Sequence, residues 1–391
     1  MKKFITGLSL FLALSAQGQT TINELLTAIE AANPTLRAQN ELTNSQKLEA
    51  KTENNLSNPT VDYEHVWGSH PGIGVGRELT VSQQFDFPTV YSNRSQIARL
   101  KSNHYDSEKE AFRQDLLLQA KELCVELVYL QKKRAFLNER LLAAQRLSDI
   151  CARRLEVGDA GALEANRTEL ELLNARTEAD LAKIEMTAKL AELAAFNGGE
   201  NPEFEVSDYP DYQVLPDFEE LLSVYLTGCP KLKCLLNQQQ LADKEVSLSK
   251  ANAMPKFELG YKGDYSGNEK FNGVLVGMSI PLFESKNTIK RAKAQARFAE
   301  LRQTSVSLSL RTELRKLYDQ AQALDVSLRK INSIVGRFGN LALLNQALDA
   351  GYLSFAEYFN EVAPLYQSRE TQMLLERDYQ LVLAKLHRIE L

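Results

Sequence analysis

Between residues 93 and 157 the chain runs for 65 residues without a proline or a glycine. As one helix this stretch is roughly 98 Å long, at ~1.5 Å per residue, about three times the diameter of a small domain. Its apolar residues recur in sevens: Leu116, Leu123, Leu130, Leu137, Ala144 and Cys151. A second row follows four residues on, through Ala120, Leu127, Arg134, Leu141, Ser148 and Leu155. Residues 287–350 repeat the design, with Leu310, Leu317, Leu324, Ile331 and Phe338 in one row and Leu314, Ala321, Leu328 and Val335 in the other. Sustained heptads of this kind indicate coiled-coil packing. Only 19 glycines occur in 391 residues, so tight turns are scarce and long helices absorb the length.

Composition excludes several classes. A net charge of −5 does not suit a phosphate-neutralising nucleic-acid binder. A chain that is 44% hydrophobic and 25% charged is not disordered. Four cysteines are too few for a disulfide scaffold. Lys2 and Lys3 precede an apolar run from Phe4 to Ala16, followed by small residues, so residues 1–18 read as an export signal. Beyond residue 20 no apolar stretch approaches 18 residues, so any membrane insertion must use strands.

The chain repeats itself. Asn33-Pro34 and Asn58-Pro59 are echoed 196 residues later by Cys229-Pro230 and Met254-Pro255. Val157-Gly158 and Glu164 are echoed 193 residues later by Ala350-Gly351 and Glu357. The expected organisation is a first structural repeat over 19–197, an acidic connector over 198–216 and a second repeat over 217–391. Each repeat reads helix, strand, strand, long helix, shorter helix. The first helix is expected over 21–56, the returning helices over 162–196 and 354–389.

The strands alternate with period two. Val61, Tyr63, His65 and Trp67 share one face, against Asp62 and Glu64. Phe257, Leu259, Tyr261 and Tyr265 oppose Lys256, Glu258, Lys262 and Asp264. Return strands are expected over 75–87 and 273–283, the latter with Val274, Val276, Met278, Ile280 and Leu282 on one face, and turns over 69–73 and 266–272. These lengths match the ~9–11 residues of a tilted membrane strand. Four strands leave open edges, which a bilayer does not tolerate. Three chains together supply twelve strands and a closed barrel.

This order, duplicated behind an export signal, resembles the TolC family of outer-membrane efflux channels. Val81-Ser82-Gln83-Gln84-Phe85 and Ser279-Ile280-Pro281-Leu282-Phe283, leading into the long helices, are similar to the family's pattern. So are the turns Arg154-Leu155-Glu156-Val157-Gly158-Asp159 and Asp349-Ala350-Gly351-Tyr352-Leu353-Ser354. The resemblance covers essentially the whole mature chain. It implies a mostly α homotrimer with a twelve-stranded β-barrel in the outer membrane of a Gram-negative bacterium and a long periplasmic α-helical barrel. It also implies a passive conduit with no chemistry of its own. A periplasmic adaptor (membrane fusion protein) and an inner-membrane pump of the RND type would deliver the cargo.

The resemblance places adaptor contacts at two tips: Gly158, Asp159, Ala160 and Gly161, and Gly351, Tyr352, Leu353 and Ser354. It also places a periplasmic entrance at Glu357, Asn360, Glu361, Glu164 and Arg154. Glu357 stands where relatives carry an inward acid, whereas Asn360 replaces a second acid. A glutamate in a first helical turn is also favoured by the helix dipole alone. Glu156-Val157-Gly158-Asp159 and Leu163-Glu164-Ala165-Asn166-Arg167 look most like the cobalt–zinc–cadmium or copper–silver efflux branch, so heavy-metal cations are the expected cargo. Drugs, other organic molecules or a type I secreted protein are the alternatives within the class. A structural trimeric coiled-coil envelope protein is the alternative outside it. No nucleophile–base pair, phosphate loop or metal motif is visible, and His65, His70, His104 and His387 show no metal-ligand spacing. No catalytic residue, cofactor or resident metal is expected.

Overall fold

A computed structural model describes residues 21–69, 74–201, 204–210, 215–266, 269–338 and 341–391. The export signal, His70 with the rest of the first strand-to-strand turn (70–73), and parts of the acidic connector lie outside these residues. Helices α1 (Ile22–Ala32) and α2 (Pro34–Thr52) lead into strands β1 (Thr60–Trp67) and β2 (Val75–Phe85). Helix α3 (Pro88–Glu156) and its return α4 (Ala162–Phe196) follow. The order recurs as α5 (Phe218–Gly228), α6 (Pro230–Ala251), β3 (Lys256–Ser266), β4 (Glu269–Ser279), α7 (Thr288–Phe338), α8 (Leu341–Asp349) and α9 (Phe355–Leu386).

Several boundaries differ from expectation. The first helix is broken at Asn33, whose ψ of 120° is extended. Pro34 lacks an N–H, and its ring disfavours the helical conformation in the residue before it. Cys229 does the same before Pro230, at ψ 117°. The last strand ends at Ser279, because Pro281 cannot donate to a ladder, and it begins earlier, at Glu269. The second long helix is described as α7 and α8, with residues 339–340 outside the described set. Pro364 lies inside α9.

The chain forms two compact units, each drawing on both repeats. One comprises Met1–Asn33, Gln119–Tyr212 and Leu324–Leu381. Helix α1 opens its described part with a capping box, in which Thr21 Oγ1 accepts from the Glu24 N–H and Glu24 Oε2 accepts from the Thr21 N–H. The heptad rows of α3 are its spine: Leu123, Leu127, Leu130, Leu137, Ala144 and Cys151 are all buried. Around Leu137 and Cys151 cluster Phe136, Leu147, Ala179, Ala182, Phe355, Tyr358, Phe359, Val362 and Tyr366. Arg140 of α3 donates to Glu171 at 2.8 Å and Glu178 at 2.7 Å, both on α4, and lies 5.4 Å from the Tyr366 ring centre on α9.

The other unit comprises Pro34–Leu118, Gln213–Ala323 and Val382–Leu391. Here Phe218 meets Tyr318 edge-on at 5.5 Å, and the Tyr318 hydroxyl donates to the Pro216 carbonyl at 3.0 Å. The Tyr225 hydroxyl donates to the Lys385 carbonyl at 2.8 Å. This unit holds the antiparallel sheet, in order β1-β2-β3-β4. Register aligns Val61, Val81, Tyr261 and Val274 across all four strands, and then Gln83, Leu259 and Val276 across three. The opposite face aligns Asp62, Thr80, Lys262 and Gly273, then Glu64, Glu78, Asp264 and Phe271. Lys262 pairs there with Glu78. One face is therefore largely apolar and exposed, and the other mostly polar, with the charged side chains Asp62, Glu64, Glu78, Lys262 and Asp264. Among the described residues β1 and β4 each pair on one side only. No helix among the described residues is long and apolar enough to cross a membrane.

Candidate functional site

Both long helical hairpins end in the same turn. Gly158 has φ +79° and Gly351 φ +75°, the left-handed conformation a side chain resists. The Gly158 N–H donates to the Leu155 carbonyl at 3.1 Å, and the Asp159 N–H to the Arg154 carbonyl at 2.7 Å. In the second copy, Gly351 donates to Leu348 at 3.1 Å and Tyr352 to Ala347 at 2.8 Å. This paired pattern is a Schellman motif, which satisfies the last carbonyls of a helix.

Restarting the chain differs between the copies. Ser354 caps α9: its Oγ accepts from the Glu357 N–H at 3.3 Å. Glu357 Oε2 accepts from the Ser354 N–H at 2.9 Å and hydroxyl at 2.8 Å. These bonds, the backbone one foremost, hold the Glu357 carboxyl below the usual carboxylate range. The first copy has Gly161 at the equivalent place, so α4 starts without a side-chain cap and Glu164 has no such box.

Arg154 lies 5.6 Å from the Phe355 ring centre, and Arg153 donates to the Asp149 carbonyl. Neither forms an ion pair with Glu164 among the described residues. Arg167 of α4 lies 5.3 Å from the Phe359 ring centre and donates to Asn360 Oδ1 at 3.3 Å. Asn360, the residue that departs from an acid, thus serves as an acceptor between the two returning helices. Glu361 is exposed. Arg146 pairs with Asp349, the last residue of α8, at 2.5 Å. Arg154 was expected at the entrance from the sequence; the contacts of Arg146 and Arg167 were not, because their partners lie some 200 residues away.

Apolar side chains with nothing over them surround the tips. Val157 is 78% exposed, and Leu163 and Tyr352 are each 85% exposed. The row continues along α4 through Leu170, Leu173, Leu181 and Ile184, all exposed. On α7, Phe298, Leu301 and Leu308 form a similar row. A lone soluble chain gains nothing from such seams.

A second cluster belongs to the other unit. His104 and Glu108 of α3 stand one turn apart, and Cys234 of α6 faces them. No metal-ligand spacing was expected at His104 from the sequence; Cys234 reaches it across 130 residues.

No known family model matches the chain, and no curated protein sequence is detectably similar. Solved structures are. The outer-membrane channel OprN aligns over 94% of this chain and 89% of its own, with a TM-score of 0.76 and 12% identity. The outer membrane protein VceC of Vibrio cholerae aligns over 94% and 95%, with a TM-score of 0.76 and 14% identity. CusC, described as undergoing transmembrane channel formation, aligns over 94% and 91%, with a TM-score of 0.71 and 15% identity. The chain therefore has the fold of the outer-membrane channels, as the TolC-family resemblance implied. The likeness does not single out a metal-efflux branch, since CusC stands no nearer than the others.

Proposed function

We propose that the chain is the outer-membrane subunit of a tripartite efflux system, a passive conduit rather than an enzyme. The four-stranded sheet carries this reading. An apolar face, a charged face and two open edges are stable together only as part of a closed barrel whose apolar side meets lipid. Three copies give twelve strands, and the exposed seams of α4 and α7 supply the contacts between copies. The barrel sits in the outer membrane and the helices extend into the periplasm. Gly158–Gly161 and Gly351–Ser354, with their bare apolar side chains, receive a periplasmic adaptor that is coupled to an inner-membrane pump of the RND type. Glu357, Glu164 and Glu361 place negative charge by that entrance and favour cations. Together with the tip sequences, this supports heavy-metal cations as cargo.

Membrane fractionation with unheated gel electrophoresis tests the channel: a trimer in the outer-membrane fraction is expected, and a soluble monomer refutes it. Deleting the gene tests the cargo. Lowered metal tolerance is expected; unchanged tolerance with raised dye or antibiotic sensitivity overturns the metal reading and leaves the channel.

A further inference from the structure

We propose that His104, Glu108 and Cys234 form a binding site for a borderline-soft divalent cation of the zinc type, clamping α3 to α6. One ligand atom from each residue lies within 4.8 Å of the other two. The His104 Nδ1 is 3.3 Å from Cys234 Sγ, and its Nε2 is 3.4 Å from Glu108 Oε1. Two ligands on one tetrahedral zinc, at about 2.0–2.3 Å from the metal, stand roughly 3.3–3.7 Å apart. One ring nitrogen alone binds the ion, so the ligand beside the other nitrogen closes in from a separation of up to 4.8 Å by turning of the ring or of the carboxylate.

The surroundings are those of a built site. One turn along α6, Asn237 donates to the Asn103 carbonyl at 3.2 Å and to Ser107 Oγ at 3.0 Å. These bonds set the register of α6 on α3 independently of any metal. The His104 side chain is only 16% exposed, while Glu108 is 47% exposed. The cation therefore has a way in, and a fourth position stays open for water. Thiolate, imidazole and carboxylate together suit zinc, cobalt or cadmium rather than magnesium or calcium. Burial first, and the Glu108 carboxylate next, push the Cys234 thiol up to about 11, against a smaller pull from Arg302. Cys234 Sγ lies 3.3 Å from His104 Nδ1, which is also 3.2 Å from the Cys234 carbonyl oxygen. Binding forms a metal–sulfur bond and releases the thiol proton to solvent; His104 binds as neutral imidazole and Glu108 as carboxylate.

This site does not depend on the cargo reading, and its failure leaves the channel intact. The test is a Co²⁺ titration of the full mature protein in detergent, kept reduced and freed of metal. Expected are one cobalt per chain, a near-ultraviolet thiolate-to-cobalt charge-transfer band and the strong visible bands of tetrahedral cobalt. Cys234→Ser abolishes the charge-transfer band. His104→Gln and Glu108→Gln each weaken binding by about 10–100-fold or more, since even outer-shell partners count for that much. Cys229→Ser, five residues away, keeps the band. No band in the wild type overturns the proposal, as does a band that survives Cys234→Ser or is lost equally in Cys229→Ser. Unchanged helix content by circular dichroism qualifies each variant, and the wild-type result decides whether or not a variant folds.

Discussion

Gly158 and Gly351 let a single methyl group probe the tips. Their φ values are +79° and +75°, and a Cβ built on either meets no atom within 4 Å. Alanine thus clashes with nothing, and its cost is the left-handed backbone alone, about 1–2 kcal/mol. That corresponds to roughly 5–30-fold in the ratio of closed to opened turn. The bonds that carry the change are Asp159 to Arg154 and Tyr352 to Ala347. Local hydrogen exchange is the right readout, because a chain of two compact units does not melt as a single two-state unit. In Gly158→Ala the amides of Asp159 and Ala160 should exchange roughly 5–30-fold faster, and in Gly351→Ala that of Tyr352. Gly161→Ser is the control: Gly161 has an extended backbone, and serine is a favoured cap there. It should slow exchange at the start of α4 slightly by rebuilding the Ser354–Glu357 arrangement around Glu164. Unchanged exchange in both alanine variants would show that the left-handed glycines do not hold the tips.

Other consequences follow from the same contacts. Ser354→Ala should cost about 1 kcal/mol at the start of α9, seen as faster exchange of the Glu357 amide. The Glu357 carboxyl should titrate below the ordinary value of about 4.3. Its capping contribution is full above that value and is lost as pH falls through the lower folded midpoint. In Ser354→Ala the midpoint, followed by NMR, should move back up, and an unshifted midpoint contradicts the box. Arg140→Met leaves Glu171, 25% exposed, without its partner. A loss of about 1–2 kcal/mol, between surface and buried pairs, should appear as faster local hydrogen exchange of the α3 and α4 amides around Arg140 and Glu171. Leu170→Asp with Ile184→Asp should leave the helix content of the chain intact but remove the trimer band from unheated gels. A persistent trimer would place the subunit interface elsewhere.

The heptads of α3, the duplicated order and the alternating strands were legible because each is a local periodicity that burial on one face imposes. The tip glycines were legible for the same local reason, since a helix ending in a left-handed residue favours glycine. The Asn33 and Cys229 breaks were written in the prolines that follow them, although a continuous apolar pattern concealed them. Which heptad row a neighbour covers was not legible. Leu314, Ala321 and Leu328 are buried within the chain, while Leu310, Leu317 and Leu324 are only half-buried. Both rows are equally apolar.

The sequence by itself determined the kinds of element, their order and the amphipathic faces, since these depend on residues within a turn or two of one another. Only the tertiary structure decided the register of β2 on β3, which joins the two repeats in one sheet. It alone made Asn360 the acceptor of Arg167, 193 residues away. It alone brought Cys234 to His104 across 130 residues. Such pairings depend on how distant helices stack, and chain spacing carries no trace of that.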